Sequence, residues 1–117
     1  MTVEVRSARQ FDKQFKRLVR KYPLLFEDAL ELTAQIKQGQ LPGDQIPNLA
    51  YEVYKVRLPN RNAKKGKSGG FRVIYYVKTQ DLIGMLSIYV KSEQTDIPLT
   101  EITALIAEFL SDLPDEE

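Results

Sequence analysis

The 117-residue sequence contains no cysteine and no histidine. The first absence excludes disulfides and thiolate metal sites, and the second removes the commonest general base and the commonest metal ligand. Any catalysis therefore has to use carboxylates, lysine, arginine, tyrosine or a bound cofactor. Because no cluster of suitable ligands stands out either, the sequence predicts neither a metal site nor a cofactor.

Long apolar runs are also missing. No stretch approaches the length that spans a membrane, and the first twenty residues are charged and amphipathic. The chain is 43% apolar and 28% charged, as is ordinary for a globular protein. We therefore expect a single domain over residues 1–117, a cytoplasmic location and no contact with membranes.

The net charge of +1 hides a strong segregation of charge along the chain. Residues 51–78 contain eight basic residues and one acid, whereas residues 79–117 contain one basic residue and nine acids. Basic segments that meet on one face can hold a polyanion. The alternative is a neutralised fold, in which basic and acidic segments face each other. Charge alone leaves both interpretations open.

Hydrophobic periodicity predicts an α+β fold with the order β-α-α-β-β-β-α, in which helices cover an antiparallel sheet of about four strands. Two helices begin near Ser7 and Pro23, and a third begins near Pro98. The predicted strands are 2–6, 51–58, 71–77 and 82–91. Residues 112–117 read as an acidic, frayed tail.

Alternation within the predicted strand 51–58 separates its two faces. Tyr54, Val56 and Leu58 point toward a core, while Lys55 and Arg57 share the other face with Val53. The glycine-rich stretch KKGKSGG (64–70) follows and leads into the next strand at Phe71 and Arg72. Lys55 and Arg57 are either the solvated side of a half-exposed strand or, together with Arg72, a device that grips phosphate.

The strings YEVYKVRL, KKGKSGGFRVIYYV and IYVKSEQTDI, in this element order, resemble the RelE/ParE superfamily of bacterial toxins. The second and third strings are most similar to its RelE/HigB-like subgroup, and the resemblance covers residues 9–106. It implies the toxin of a type II toxin–antitoxin pair, held in a complex with its cognate antitoxin. It further implies an endoribonuclease that cuts mRNA on the ribosome and so inhibits translation.

By motif, the resemblance assigns catalytic roles to basic residues of the sheet. Lys55 and Arg57 match the two basic positions of one strand, Arg72 the arginine of the next strand, and Lys91 a lysine at the end of the last strand. The family pattern also has an arginine and a tyrosine where this chain has Ser92 and Pro98. Tyr89 and Glu93 are our candidates to replace them.

Cleavage of RNA through its own 2′-hydroxyl requires a base, a group that neutralises the phosphorane, and an acid. The planar fork of an arginine suits the phosphorane. A lysine that is desolvated among like charges loses its proton more easily, which makes Lys55 and Lys91 candidates for proton transfer. Contacts to RNA or the ribosome are predicted for Arg61, Lys64, Lys65, Lys67 and, by stacking on a base, Tyr76.

Each assignment has a plainer alternative. The loop lysines can simply keep a hairpin soluble, and Glu93 can pair with a nearby lysine. At the level of function, the alternatives are a ParE-like poison of DNA gyrase and an inactive member that only binds its antitoxin.

Overall fold

The computed structural model describes residues 3–62 and 70–114. Its described residues form three helices and a five-stranded sheet, which confirms the predicted α+β class. In chain order the elements are β1 (Glu4–Ser7), α1 (Arg9–Lys21), α2 (Leu25–Lys37), β2 (Asp44–Gln45), β3 (Val53–Leu58), β4 (Phe71–Thr79), β5 (Leu82–Val90) and α3 (Leu99–Asp112).

The strands lie in the order β1-β5-β4-β3-β2. Strands β3, β4 and β5 form the predicted antiparallel meander. Strand β1 pairs with β5 in parallel, and the two-residue strand β2 pairs with β3 in a segment where no strand was predicted. The sheet is therefore one strand wider than expected and not wholly antiparallel.

Helices α1 and α2 cover one face of the sheet, which we call the α1/α2 face. The apolar stripe of α1 contributes Phe11 and Leu18, and α2 contributes Leu25, Leu32 and Ile36. From the sheet they meet Val56, Phe71, Val73, Tyr75, Ile83, Met85, Ile88 and Val90. This cluster contains the core-facing residues that alternation predicted for β3.

Helix α3 packs on the opposite face, which we call the α3 face. Its buried stripe is Ile102, Leu105, Ile106 and Phe109, and it meets Val53, Ile74, Tyr76, Leu86 and Tyr89 of the sheet. The Phe109 ring lies directly over Gly84, where a Cβ atom would come within 2.6 Å of it. Gly84 is thus a site of close approach between helix and strand.

A β-bulge interrupts strand β5. Ile74 is opposite Ser87 and Tyr75 is opposite Met85, so Leu86 is an extra residue on β5. The bulge shifts the alternation of β5 by one. Consequently Gly84 and Tyr89, which are five residues apart, both lie on the α3 face.

The end of α3 is better anchored than the sequence suggested. Asp112, the first residue of the predicted frayed tail, is helical and accepts a 2.8 Å hydrogen bond from Arg9 Nε. Residues 115–117 lie outside the described residues.

Candidate phosphate-binding groove

Three strands place a row of polar side chains across the α3 face. Arg57 of β3 is directly opposite Arg72 of β4, and Arg72 is directly opposite Tyr89 of β5. Like charges that face each other across neighbouring strands destabilise a sheet. A pair of facing arginines is therefore an arrangement that stability alone does not favour.

Arg57 and Arg72 border an open groove of about 520 Å³, which we call the cation groove. It is lined by Gly43, Asp44, Lys55, Val56, Arg57, Arg72, Lys91 and Asp96. Four of these side chains are cationic and two are carboxylates, so the groove has a net positive charge. The structure thus brings together the four basic residues assigned by motif, Lys55, Arg57, Arg72 and Lys91.

Gly43 shapes one wall of the groove. Its φ of +95° suits glycine, and a Cβ atom here would lie 2.5 Å from the backbone oxygen of Lys55. The absence of a side chain lets the segment before β2 run close against β3 beside the lysine.

Arg72 is the most enclosed cation of the groove, with 6% of the residue exposed. Its Nη1 donates to the backbone oxygen of Phe71 at 3.4 Å, and its charge offsets only a small part of the rise in the pKa of the neighbouring Tyr89 that burial causes. Arg57 across the strand is exposed. The pair therefore combines an enclosed arginine with an exposed one on the same wall.

Asp96, which the sequence analysis did not single out, lies between the two groove lysines. Its Oδ1 is 3.5 Å from Lys55 Nζ and 3.4 Å from Lys91 Nζ. The same oxygen accepts a hydrogen bond of 3.3 Å from the Tyr89 hydroxyl. Desolvation raises the pKa of Asp96, but the two lysines outweigh it and the pKa is lowered overall. The carboxylate is therefore ionised at neutral pH.

Tyr89 is placed to hold Asp96 rather than to transfer a proton. The residue is 2% exposed, and burial, reinforced by Asp96, raises its pKa to about 12. Efficient general acid–base catalysis needs a pKa near the working pH. The buried hydroxyl therefore fits the proposed catalytic role poorly.

Glu93 lies on the other side of the 91–98 segment, against α1. It accepts a hydrogen bond from Lys21 at 3.1 Å and pairs with Arg17 at 3.7 Å. The hydrogen bond from Lys21 is the largest cause of its lowered pKa. The plainer alternative, pairing with a nearby lysine, describes Glu93 better than a catalytic role.

Arg61, a predicted RNA contact, is bound to α2. Its Nε and Nη2 each donate to the Asp28 carboxylate at 3.0 Å, and Nη2 also lies 3.6 Å from Glu27. This forked pair holds Arg61, which follows β3, against α2. The predicted contacts Lys64, Lys65 and Lys67 lie outside the described residues.

Tyr76, which was predicted to stack on a base, is largely buried in the structure. It shares a face with Arg72, as expected, but it is only 6% exposed. The rings of Tyr51 and Phe109 pack edge-on against it at centroid distances of 5.7 and 6.2 Å. Helix α3 covers this part of the strand, and the ring packs against protein.

Both interpretations of the charge pattern hold in part. Arg9 pairs with Glu108 and Asp112, Lys21 with Glu93, and Arg61 with Asp28, so many bases and acids from distant segments do face each other. In the cation groove, however, basic side chains outnumber the carboxylates.

Two further features of the described residues bear on the classes of function. Within residues 3–62 and 70–114, no group of three or more Cys, His, Asp or Glu residues could hold a metal ion. In the same ranges, every helix is too short or too polar to cross a membrane.

Comparison with known proteins places the chain among toxins. A family model described as the RelE toxin of the RelE/RelB toxin–antitoxin system matches residues 9–116, which is nearly the whole chain. No curated protein matches the sequence.

Proposed function

Because the chain belongs to the RelE toxin family, and is thus the toxin of a toxin–antitoxin system, we propose that it is a metal-independent endoribonuclease that cleaves mRNA on the ribosome. The observation that carries this proposal is the convergence of Lys55, Arg57, Arg72 and Lys91 on one groove. Four cations from the meander strands and the segment that follows them match the charge of an RNA backbone.

The groove suits the most demanding part of the reaction, which is the crowded, negatively charged phosphorane. Preorganised cations stabilise such a charge without having to reorganise as the reaction proceeds. Arg72 meets this condition because its guanidinium is enclosed by the sheet. Arg57, directly opposite, supplies a second fork that can follow the phosphate as it changes shape.

Proton transfer then falls to the lysine pair. Tyr89 is buried with a raised pKa, and Glu93 is engaged by α1. Lys55 and Lys91 have their ammonium groups in the groove, near the position that the scissile phosphate would occupy. Lysine is a weaker proton-transfer group than histidine at neutral pH.

Ribosome dependence follows from that weakness. Correct orientation of the reacting groups is worth about 7–11 kcal/mol of barrier in favourable cases. A ribosome that holds the mRNA in an attack geometry supplies this contribution, so the toxin needs only to bring the cations. A reaction on the ribosome also fits the cytoplasmic location expected from the sequence.

The cognate antitoxin that the family implies would silence the toxin most directly by occupying the cation groove. An acidic segment suits this role, because it would neutralise the same side chains that would bind RNA. The product would be a toxin–antitoxin hetero-oligomer in which the groove is covered.

The test uses three variants expressed in cells: Arg72→Ala, Arg57→Ala and Lys78→Ala. Arg72→Ala removes the enclosed guanidinium, and Arg57→Ala removes an exposed one that the fold does not need. Lys78→Ala is the matched control, since Lys78 is an exposed cation at the far end of β4. Growth and the positions of new mRNA 5′ ends are measured for each.

We expect both arginine variants to relieve growth inhibition and to lower mRNA cleavage by about 10²- to 10³-fold, the usual loss when one stabilising donor is removed. Lys78→Ala should remain toxic. If the wild type arrests growth by inducing DNA damage without new mRNA ends, the gyrase alternative is correct. If overexpressed wild type is harmless, the chain is an inactive binder of its antitoxin.

A further inference from the structure

Asp96 is an anion inside a groove built from cations. Its Oδ1 is shared by Lys55, Lys91 and the Tyr89 hydroxyl, at 3.5, 3.4 and 3.3 Å. Asp96 lies in the irregular segment between β5 and α3, within the groove lining itself. The carboxylate therefore occupies the position in which a phosphate would contact both ammonium groups.

The contacts of Asp96 are of a kind that exchanges easily. All three distances are long for hydrogen bonds to a carboxylate, which are usually about 2.7–2.9 Å from an ammonium group and about 2.5–2.7 Å from a hydroxyl. The side chain of Asp96 is 55% exposed, and those of Lys55 and Lys91 are 35% and 41% exposed. Ion pairs of this exposure contribute little to stability, so a better anion can replace one partner.

A carboxylate and a phosphate can both bind to a pair of lysines. A phosphodiester within RNA also has neighbouring phosphates, which can bind to Arg57 and Arg72. Asp96 is tethered and reaches only the lysines and Tyr89 among its described contacts. An RNA strand can engage the whole groove, which gives it the advantage over the internal carboxylate.

We propose that Asp96 is an internal stand-in for the RNA phosphate: it holds Lys55 and Lys91 together in the free toxin and is displaced when RNA enters the groove. This inference rests on the proposed function in that the displacing anion is the RNA backbone. It assigns to Asp96 a positioning role through the lysines. The like charges of Lys55 and Lys91 are kept close in the absence of substrate, and the groove discriminates against anions too weak to displace the carboxylate.

The first test compares the affinity of Asp96→Asn, Asp81→Asn and wild type for a single-stranded RNA with 2′-O-methyl groups, which removes the attacking hydroxyl. Both variants gain one unit of charge, but Asp81 lies in the β4–β5 turn at the opposite end of the sheet. We expect Asp96→Asn to bind about 3- to 10-fold more tightly at low salt, the factor that corresponds to one or two exposed ion pairs. Its plot of log affinity against log salt should steepen by about 0.7, as for one additional phosphate contact on a single strand.

Two outcomes of that test overturn the proposal. Equal tightening in Asp96→Asn and Asp81→Asn would mean that only the overall charge matters. Unchanged RNA affinity in Asp96→Asn, together with a fall in single-turnover cleavage on ribosomes, would identify the carboxylate as a proton-transfer group instead. The displacement mechanism predicts a lower KM for Asp96→Asn, because the RNA no longer has to displace a carboxylate from the lysines.

A second test does not depend on RNA cleavage and keeps the two proposals separable. The side-chain carboxyl ¹³C signal of Asp96 is followed by NMR in the folded toxin while inorganic pyrophosphate is added. Displacement predicts that this signal moves with saturation and that its midpoint pH rises, because the lysines no longer hold the carboxylate ionised. If the chemical shift of this signal does not change with pyrophosphate, the inference is overturned, even if the toxin proves to be a ribonuclease. If the chemical shift changes, the inference is supported, even if cleavage is never found.

Discussion

The two faces of the sheet differ in how completely helices cover them. On the α1/α2 face, apolar side chains run from Phe71 at one end of β4 to Ile83 near the start of β5 under two helices. On the α3 face, one helix covers Ile74, Tyr76 and Gly84, and the row Arg57–Arg72 lies beyond it and opens into the cation groove. The apolar packing of the α1/α2 face stabilises the fold. Part of the α3 face has no apolar cover, and charged side chains lie there.

The same contrast explains why two facing arginines are tolerated. Their repulsion costs stability at the open end of the α3 face, and the fully covered α1/α2 face offsets that cost. Substitutions on the α1/α2 face and on the α3 face should therefore have different effects on stability and activity.

The largest effect is expected on the covered face. Leu18 is fully buried between α1 and the sheet, so Leu18→Ala should lower the free energy of unfolding by about 2.7–5 kcal/mol. Urea denaturation measures it. A loss below about 1 kcal/mol would mean that this face is less tightly packed than the contrast requires.

A smaller loss is expected where α3 meets the sheet. In Gly84→Ala the new Cβ would press on the Phe109 ring at 2.6 Å, and overpacking of this kind costs about 1–3 kcal/mol. Thermal unfolding reports the loss. The double variant Gly84→Ala/Phe109→Leu should recover part of it, whereas no recovery would place the strain elsewhere.

Much of this contrast could be predicted from the sequence. Alternation in β3 correctly separated Tyr54, Val56 and Leu58 from Lys55 and Arg57, because strand side chains keep a strict period of two. The helical stripes were predictable for the same reason, because their apolar positions repeat over several helical turns. The order of elements followed from these periodic patterns. The prediction that Lys55, Arg57, Arg72 and Lys91 act together came from matching family motifs.

What escaped prediction depends on contacts between distant segments or on breaks in periodicity. The bulge at Leu86 moves Tyr89 to the α3 face, and alternation alone does not locate the extra residue within the strand. Tyr76 has the right face, but only the position of α3 shows that it is covered. Asp96 lies in the quoted string IYVKSEQTDI, yet an irregular segment has no period from which its direction could be read.

Tyr89→Phe sharpens the distinction between holding and catalysis. The change removes a hydrogen bond to Asp96 while keeping the buried ring. The free energy of unfolding should fall by about 0.5–1.5 kcal/mol, and cleavage on ribosomes should stay within about threefold of wild type. A drop of 10² or more in single-turnover rate would restore Tyr89 as a proton-transfer residue.

The smallest effect is expected for Glu93→Gln, and it should depend on pH. Because the folded pKa of Glu93 is lowered from the ordinary 4.5, chiefly by the hydrogen bond from Lys21, its stabilising contribution is present above that ordinary value. It is lost as the pH falls through the lowered pKa. The free energy of unfolding of the wild type should exceed that of Glu93→Gln by about 0.2–1 kcal/mol at pH 7. The gap between the two unfolding curves should close on acidification, and a gap that persists in acid would contradict the assignment.

The most direct test of the contrast between the faces is a paired measurement on Arg57→Ala: single-turnover cleavage of mRNA on programmed ribosomes and urea unfolding of the same preparation. We expect a loss of at least about 10² in rate, with the free energy of unfolding unchanged or raised by up to about 0.5 kcal/mol because the repulsion from Arg72 is relieved. Wild-type cleavage by the folded variant would contradict it, because the open end of the α3 face would then have no part in the reaction.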